Sequence, residues 1–289
     1  TNEGELTNED LDVPESITYN ITPSANNDTM TLAIEAGTGV FWTFKLVPVT
    51  TTPTNTHSLS FDGSDDYVEI ADSDNLDGMS SLTVQVWIKK INDATGGSFI
   101  SKIVNSNGGD MSYHFYEVDD ADLITFVIKT NSGQGSTYIN SNDITINTWH
   151  QIVAVYDGSN IKIYLDGDLK NTSSSITGNI LTSTVPLLIG KVNNTGFFNG
   201  YIDEVVMWNT ALTQAEIQSY MTTSPTGNES GLVGYWNFNE GSGSTLTDQT
   251  SNGNDGTIYG ATWSADVPFS GTTTTSALTW SVQAKASLG

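Results

Sequence analysis

Short runs in which apolar and polar residues alternate at a period of two recur along this chain, and they dictate strands. SLSFDGSDDYVEI (58–70) is one run; Leu82, Val84, Val86 and Ile88 mark a second, and Ile152, Ala154 and Tyr156 a third. Successive strand side chains point to opposite faces, so each run builds an element with one face for a core. Asp166-Gly167, between IKIYL and DLKNT, reads as a type I′ hairpin turn, because both central residues need positive φ. Only Thr213–Met221 reads as helix: Thr213 and Glu216 form a capping-box pair, and Ile217, Tyr220 and Met221 supply an apolar stripe. That helix is expected to plug one end of a sandwich. The fold class is all-β.

Two Thr-rich joints, PVTTTPTNTHS (48–58) and SGTTTTSA (270–277), have the composition of exposed connectors and divide the chain. Outside them the strand pattern continues in Ile17, Tyr19 and Ile21, in Met30, Leu32 and Ile34, in VFWTFKLV (40–47), and in Leu278, Trp280, Val282 and Ala284. A single tail strand needs partners for its backbone and its apolar face. The expectation is a small, discontinuous β scaffold domain, 1–50 plus 277–289, into which the domain 57–268 is inserted. Two unrelated flanking tails are the alternative. Residues 1–15 carry six acids and no base, as a solvated arm would.

Charge narrows the partners. Against 33 acidic residues stand nine lysines and no arginine, a formal charge of −24. Such a surface repels nucleic acid and anionic membranes. With no cysteine there is neither a disulfide framework nor thiolate chemistry. No apolar run approaches the 18 or so residues of a membrane span. The start at Thr1 suggests removal of a leader or of the initiator Met. This composition is compatible with an extracellular or high-salt, marine-like setting, with solubility alone as the alternative; the expected location is extracellular or surface-exposed, on a cell or on the exterior of a virion.

SLSFDGSDDYVEI, WHQIVAVYDGSNIKIYLDG (149–167), NGYIDEVVMWNTALTQAEIQSYM (199–221) and GLVGYWNFNEGSGSTLTDQTSNGNDGTIYGATW (231–263) resemble the laminin-G-like, concanavalin A-like jelly-roll family, from about His57 to Pro268. The resemblance implies an antiparallel concanavalin A-like jelly-roll sandwich over 57–268. In many relatives the GLVGYWNF…GATW segment precedes the SLSFDG strand, whereas here it follows. The resemblance also implies that the GYIDEV strand lies close to the FDG turn. Calcium-carrying members then suggest Asp62, Asp66 and Asp203 as oxygen donors to a structural Ca2+, with the Gly63 carbonyl added. The crowding of Asp62, Asp65 and Asp66 in one short turn fits a cation; capping of turn amides by Asp62 and Asp65 is the alternative. DQTSNGNDG (248–256) suits a tight turn.

Laminarinase-like relatives of this fold carry alternating acids that all face one cleft. Here Asp203 and Glu204 are adjacent, and adjacent strand residues are expected to face opposite sides. His57, His114 and His150 are scattered, and no G-x-S-x-G or H-E-x-x-H motif is present. The expectation is no enzyme, with a glycoside hydrolase as the weakest alternative. Binding is the stronger reading, because aromatic faces stack on sugar rings while Asn and Asp read hydroxyls. His114, Tyr116, Asn193, Asn194 and Phe197 are the candidate ligand-facing residues; alternation assigns Tyr113 and Phe115 to the core. Two function classes follow: a non-enzymatic surface adhesion or glycan-binding module, and a structural subunit of a filament or virion, as a decoration or tail component. In both, the terminal strands are expected to serve self-association or docking to other subunits.

Overall fold

A computed structural model describes residues 30–35, 40–46, 55–92, 96–103, 111–118, 122–173, 175–193, 196–269 and 283–286. The chain divides into two compact units, one of Thr1–Thr51 with Thr272–Gly289 and the other Thr52–Gly271. In the first, Met30–Glu35, Val40–Leu46 and Gln283–Ala286 form a three-stranded antiparallel sheet with Val40–Leu46 in the middle. The register sets Gln283 opposite Thr43 and Ala286 opposite Val40. Ile17, Tyr19, Ile21, Leu278, Trp280 and Val282 lie outside the described residues.

The second unit is a sandwich of two eight-stranded sheets. The first sheet runs Asp168–Thr172, Ile161–Leu165, Trp149–Tyr156, Leu82–Lys90, Asn199–Trp208, Ser58–Asp62, Thr262–Ser264, and Leu232–Trp236 also pairs with Asn199–Trp208. The second runs Thr245–Leu246, Gly256–Tyr259, Tyr67–Ile70, Leu187–Ile189, Ser98–Ile103, Met111–Val118, Leu123–Thr130, Gly133–Asn140. One core joins them. Leu82, Val84, Val86, Ile88, Ile152, Ala154 and Tyr156 from the first sheet pack with Val68, Ile70, Tyr113, Phe115, Phe126 and Ile189 from the second. Burying the apolar half of each alternating run stabilises by about 25 cal/mol per Å² removed from water, which is why the period-two pattern fixes the layers. The segment 231–264 contributes strands to both sheets, closing the sandwich beside Ser58–Asp62 and Tyr67–Ile70.

Local signals settle into place around this frame. Asp166 and Gly167 adopt φ of 50° and 76°, as the hairpin turn requires. The helix is shorter than expected, Gln214–Ser219, with Thr213 as N-cap and its capping box to Glu216 formed. It does not plug an end. Ile217 packs on Val153, Val155 and Tyr164, which face away from the core, so the helix covers the outer face of the first sheet.

Lys102 is fully buried, and its ammonium reaches Asp72 at 2.5 Å, Asp77 at 3.3 Å and the Val185 carbonyl at 2.7 Å. Burial raises the Asp77 carboxyl above its usual range, while the Ser183 amide and Lys102 oppose that shift. Removing one member of such a network strands the other in low dielectric. Lys102→Met is expected to cost about 3–5 kcal/mol in urea unfolding, and adding Asp77→Asn should recover part of that loss.

Candidate functional site

The second sheet turns one face to the core and the other outward, and the outward face gathers aromatic residues. Across it, hydrogen-bonded register lines up Thr257, Glu69, Leu188, Ser101, His114, Val127 and Ser136 in one row. A second row holds Tyr259 opposite Tyr67, and Tyr116, Thr125 and Tyr138. Tyr67 and Tyr259 stack at 4.6 Å with an interplanar angle of 13°. The Lys191 ammonium rests 3.7 Å from the Tyr67 ring centre and 5.4 Å from that of Phe197. Tyr259 and Tyr138 remain 42% and 51% exposed.

Of the residues the sequence put forward for ligand, His114, Tyr116 and Phe197 belong to this face or its margin, and Asn193 lies in the adjoining loop in a left-handed conformation, φ 54°. Asn194 lies outside the described residues. Tyr113 and Phe115 are core, as alternation required. His114 is buried rather than ligand-facing: it stacks on Tyr116 at 4.0 Å and contacts the Ser98 hydroxyl at 3.2 Å. Tyr67, Tyr259, Lys191 and Tyr138 were missed by sequence reasoning. For Tyr67 and Tyr259 the signal was present in the alternation, since Val68 and Ile258 are core and their neighbours must face out; Lys191, in a loop, carried none.

The crowded turn keeps its carboxylates together, with oxygens of Asp62, Asp65 and Asp66 within 4.8 Å of one another. Its geometry is that of a self-capped turn. Asp62 accepts from the Ser64 amide at 2.8 Å, Asp66 accepts from the Asp62 amide at 2.9 Å, and Gly63 has φ 80°. Burial, with Asp62 and Asp65 adding to it, raises the Asp66 carboxyl above its usual range. Asp203 is not part of this group. The antiparallel register sets Asn199 opposite Asp62, and Asp203 stands four residues further along, about 13 Å away at the usual strand rise. In the 248–256 loop both oxygens of Asp248 are taken by turn donors, including the amides of Thr250 and Asn254 at 2.9 Å each.

Asp203 and Glu204 form a different group. A β-bulge interrupts the pairing of Asn199–Trp208 with Leu82–Lys90 between Asp203 and Val206, and Glu204 takes φ 48°. Ile202 and Val205 both pack in the core, so the two acids between them share the opposite face. This overturns the expectation that adjacent acids point apart. Both are buried, 0% and 2% exposed, so they face no open cleft. Asp203 accepts from Asn55 Nδ2 and from the Glu204 amide, each at 2.8 Å. Glu204 accepts from Tyr235 Oη at 2.9 Å and from Ser224 Oγ at 3.3 Å. Burial pushes Glu204 up to about 7, and burial together with the Glu204 charge raises Asp203 well above its usual range.

A family profile described as the concanavalin A-like lectin/glucanases superfamily matches residues 62–218. Among curated proteins, human pappalysin-1 is 27% identical over 161 residues, a match covering 50% of this chain and 10% of that protein. Among solved structures, a candidate carbohydrate-binding protein from Bacteroides ovatus superposes with a TM-score of 0.59 at 16% identity, covering 80% of this chain and 70% of that one. No described helix is long and apolar enough to cross a membrane.

Burial holds the His114 imidazole neutral, with its pKa lowered from 6.5 to about 3. Between those values the unfolded chain binds the proton and the folded one does not, so stability rises with pH through this window and is fully present above it. Relative to His114→Gln, the wild-type protein should lose about 2 kcal/mol between pH 7 and pH 5 in denaturant titrations.

Proposed function

Because the chain belongs to the concanavalin A-like lectin/glucanases superfamily, we propose that its sandwich unit is a non-catalytic carbohydrate-binding module acting at an extracellular or other exposed surface. The observation that carries this reading is the group on the outward face of the second sheet: the stacked Tyr67–Tyr259 pair, with Lys191 and Phe197 against it. Sugar rings present C–H faces to aromatic rings and hydroxyls to nearby donors. Tyr259 supplies exposed aromatic surface, and the Lys191 ammonium supplies donors. Among the described residues Lys191 enters no ion pair, which leaves its charge for a ligand hydroxyl or carboxylate. The carbohydrate-binding description of the Bacteroides ovatus protein accords with this reading. Burial of Asp203 and Glu204 argues against their acting as the acid pair of a glycoside hydrolase.

A second reading adds a structural role. The three-stranded sheet has Met30–Glu35 and Gln283–Ala286 as its outer strands, each paired on one side among the described strands. Such edges suit addition of a strand from a neighbouring subunit of a filament, virion or other assembly.

Glycan-array screening of the full chain should give binding without release of reducing ends. Tyr259→Ala and Lys191→Met should each weaken the best ligand about tenfold, roughly 1.4 kcal/mol. A blank array, or binding unmoved by both substitutions, would remove this face as the site. For the structural role, light scattering of the purified chain should show particles larger than a monomer, and deletion of residues 283–289 should return them to monomer.

A further inference from the structure

Lys102 encloses a reactive amine on the core side of the second sheet. Register sets it opposite Tyr113, and cross-strand partners share a face, so its side chain runs beside that core ring. The Tyr113 phenol is itself engaged, donating to the Leu76 carbonyl at 2.7 Å. Leu76, Asp72 and Asp77 belong to the segment that follows Tyr67–Ile70, and Val185 to the segment that precedes Leu187–Ile189. The Lys102 and Asp77 side chains are buried, whereas that of Asp72 is 35% exposed. One amine and two carboxyl groups thus meet where water reaches only Asp72.

Their charges do not cancel. Among the described residues two carboxyl groups share this one ammonium, and in low dielectric a proton on one acid relieves the surplus. Asp77 is placed to hold it: burial raises its carboxyl above the usual range and the Asp72 charge adds to that, against the Ser183 amide and Lys102. Asp77 Oδ2 sits 3.3 Å from Lys102 Nζ and accepts from the Ser183 amide at 2.8 Å. Asp72 Oδ1 lies 2.5 Å from the same nitrogen, and the Val185 carbonyl 2.7 Å. Condensing an amine with an acid needs four parts: a desolvated amine, a protonated carboxyl, a carboxylate touching the amine, and an N–H donor on the carboxyl oxygen. All four are present.

We propose that Lys102 and Asp77 condense into an intramolecular amide, with Asp72 as the proton-transfer group. Asp72 takes a proton from the Lys102 ammonium, and rotation about Cε–Nζ turns the freed lone pair towards Asp77 Cγ. The N–C bond forms while the carbonyl electron pair moves onto the oxygen held by the Ser183 amide. Asp72 then gives its proton to the Asp77 hydroxyl and recovers one from the nitrogen; the C–O bond breaks and one water leaves. An ammonium, a carboxylic acid and a carboxylate become an amide, a water and a protonated Asp72, which returns its proton to solvent through its exposed edge. No oxidant or cofactor takes part. The fold already holds the groups in contact, and the neutral product suits burial better than the ions it replaces. A chain without cysteine has no disulfide to fasten its strands. The amide fastens the segment after Tyr67–Ile70 to strand Ser98–Ile103.

Mass spectrometry of the intact full chain should read one water below the mass of its sequence. After denaturation, trypsin should fail to cut behind the acylated Lys102 and should release a branched peptide joining residues 46–89 to 91–129. Fragmentation should place the link on Asp77. Asp72→Asn keeps both reacting groups and removes the proton acceptor, so it should return to full mass, as should Lys102→Met. Where a variant does not fold, the branched peptide of the wild-type chain still decides. A wild-type chain at full mass and cut freely behind Lys102 overturns the proposal and leaves an ion pair only. Water lost without a branched peptide also overturns it, because a succinimide at Asp77-Gly78 has the same mass. A link found on Asp72, or one kept in Asp72→Asn, overturns the roles assigned to the two acids.

Discussion

The sandwich depends on a single strand that changes partners halfway along its length. Asn199–Trp208 pairs with Leu82–Lys90 along one side. On the other it pairs first with Ser58–Asp62, up to Ile202 opposite Leu59, and then with Leu232–Trp236, from Val205 opposite Trp236. The bulge lies at this handover. There the Glu204 amide is accepted by the side chain of Asp203, which substitutes for a ladder carbonyl. A backbone requirement thus places two acids under the outer surface, and the surrounding amides, hydroxyl and phenol answer to them.

The two outer faces of the sandwich consequently differ in chemistry. That of the first sheet is covered by the helix at Ile217 and by the 266–269 segment, and its polar groups are enclosed. The outward face of the second sheet keeps Tyr259 and Tyr138 in contact with solvent. Electrostatic groups gain strength where water is excluded, whereas stacking on a soluble ligand needs open rings. The division leaves enclosed polar groups on one side and open aromatic rings on the other.

Much of this was legible in the sequence because it is local. Alternation sorted Tyr113 and Phe115 from His114 and Tyr116, and the Asp166-Gly167 turn and the Thr213–Glu216 cap formed where their residue types required. What was illegible is long-range or breaks the period. A bulge shifts the alternation by one, so reading Asp203 and Glu204 at a strict period of two sent them to opposite faces. The four-residue offset between Asp62 and Asp203 is a matter of register, which family likeness does not fix. Tyr67 meets Tyr259 across nearly the whole unit, and Asn55 reaches Asp203 from a Thr-rich joint that reads only as a connector.

The distribution of the 231–264 strands over both sheets also sets the order in which the molecule can assemble. Ser58–Asp62 finds one neighbour at Asn199–Ile202 and the other at Thr262–Ser264, about 200 residues downstream. At a ribosomal rate of about 5–20 residues per second, the early strand waits roughly 10–40 s for its last partner to be synthesised. Until then an apolar strand edge stands open in the nascent chain. Closure of the sandwich at this edge therefore comes late, after the consecutive strands of 98–140 and 149–172 are available to pair, and the hazard is premature pairing of the open edge with a neighbouring chain during synthesis.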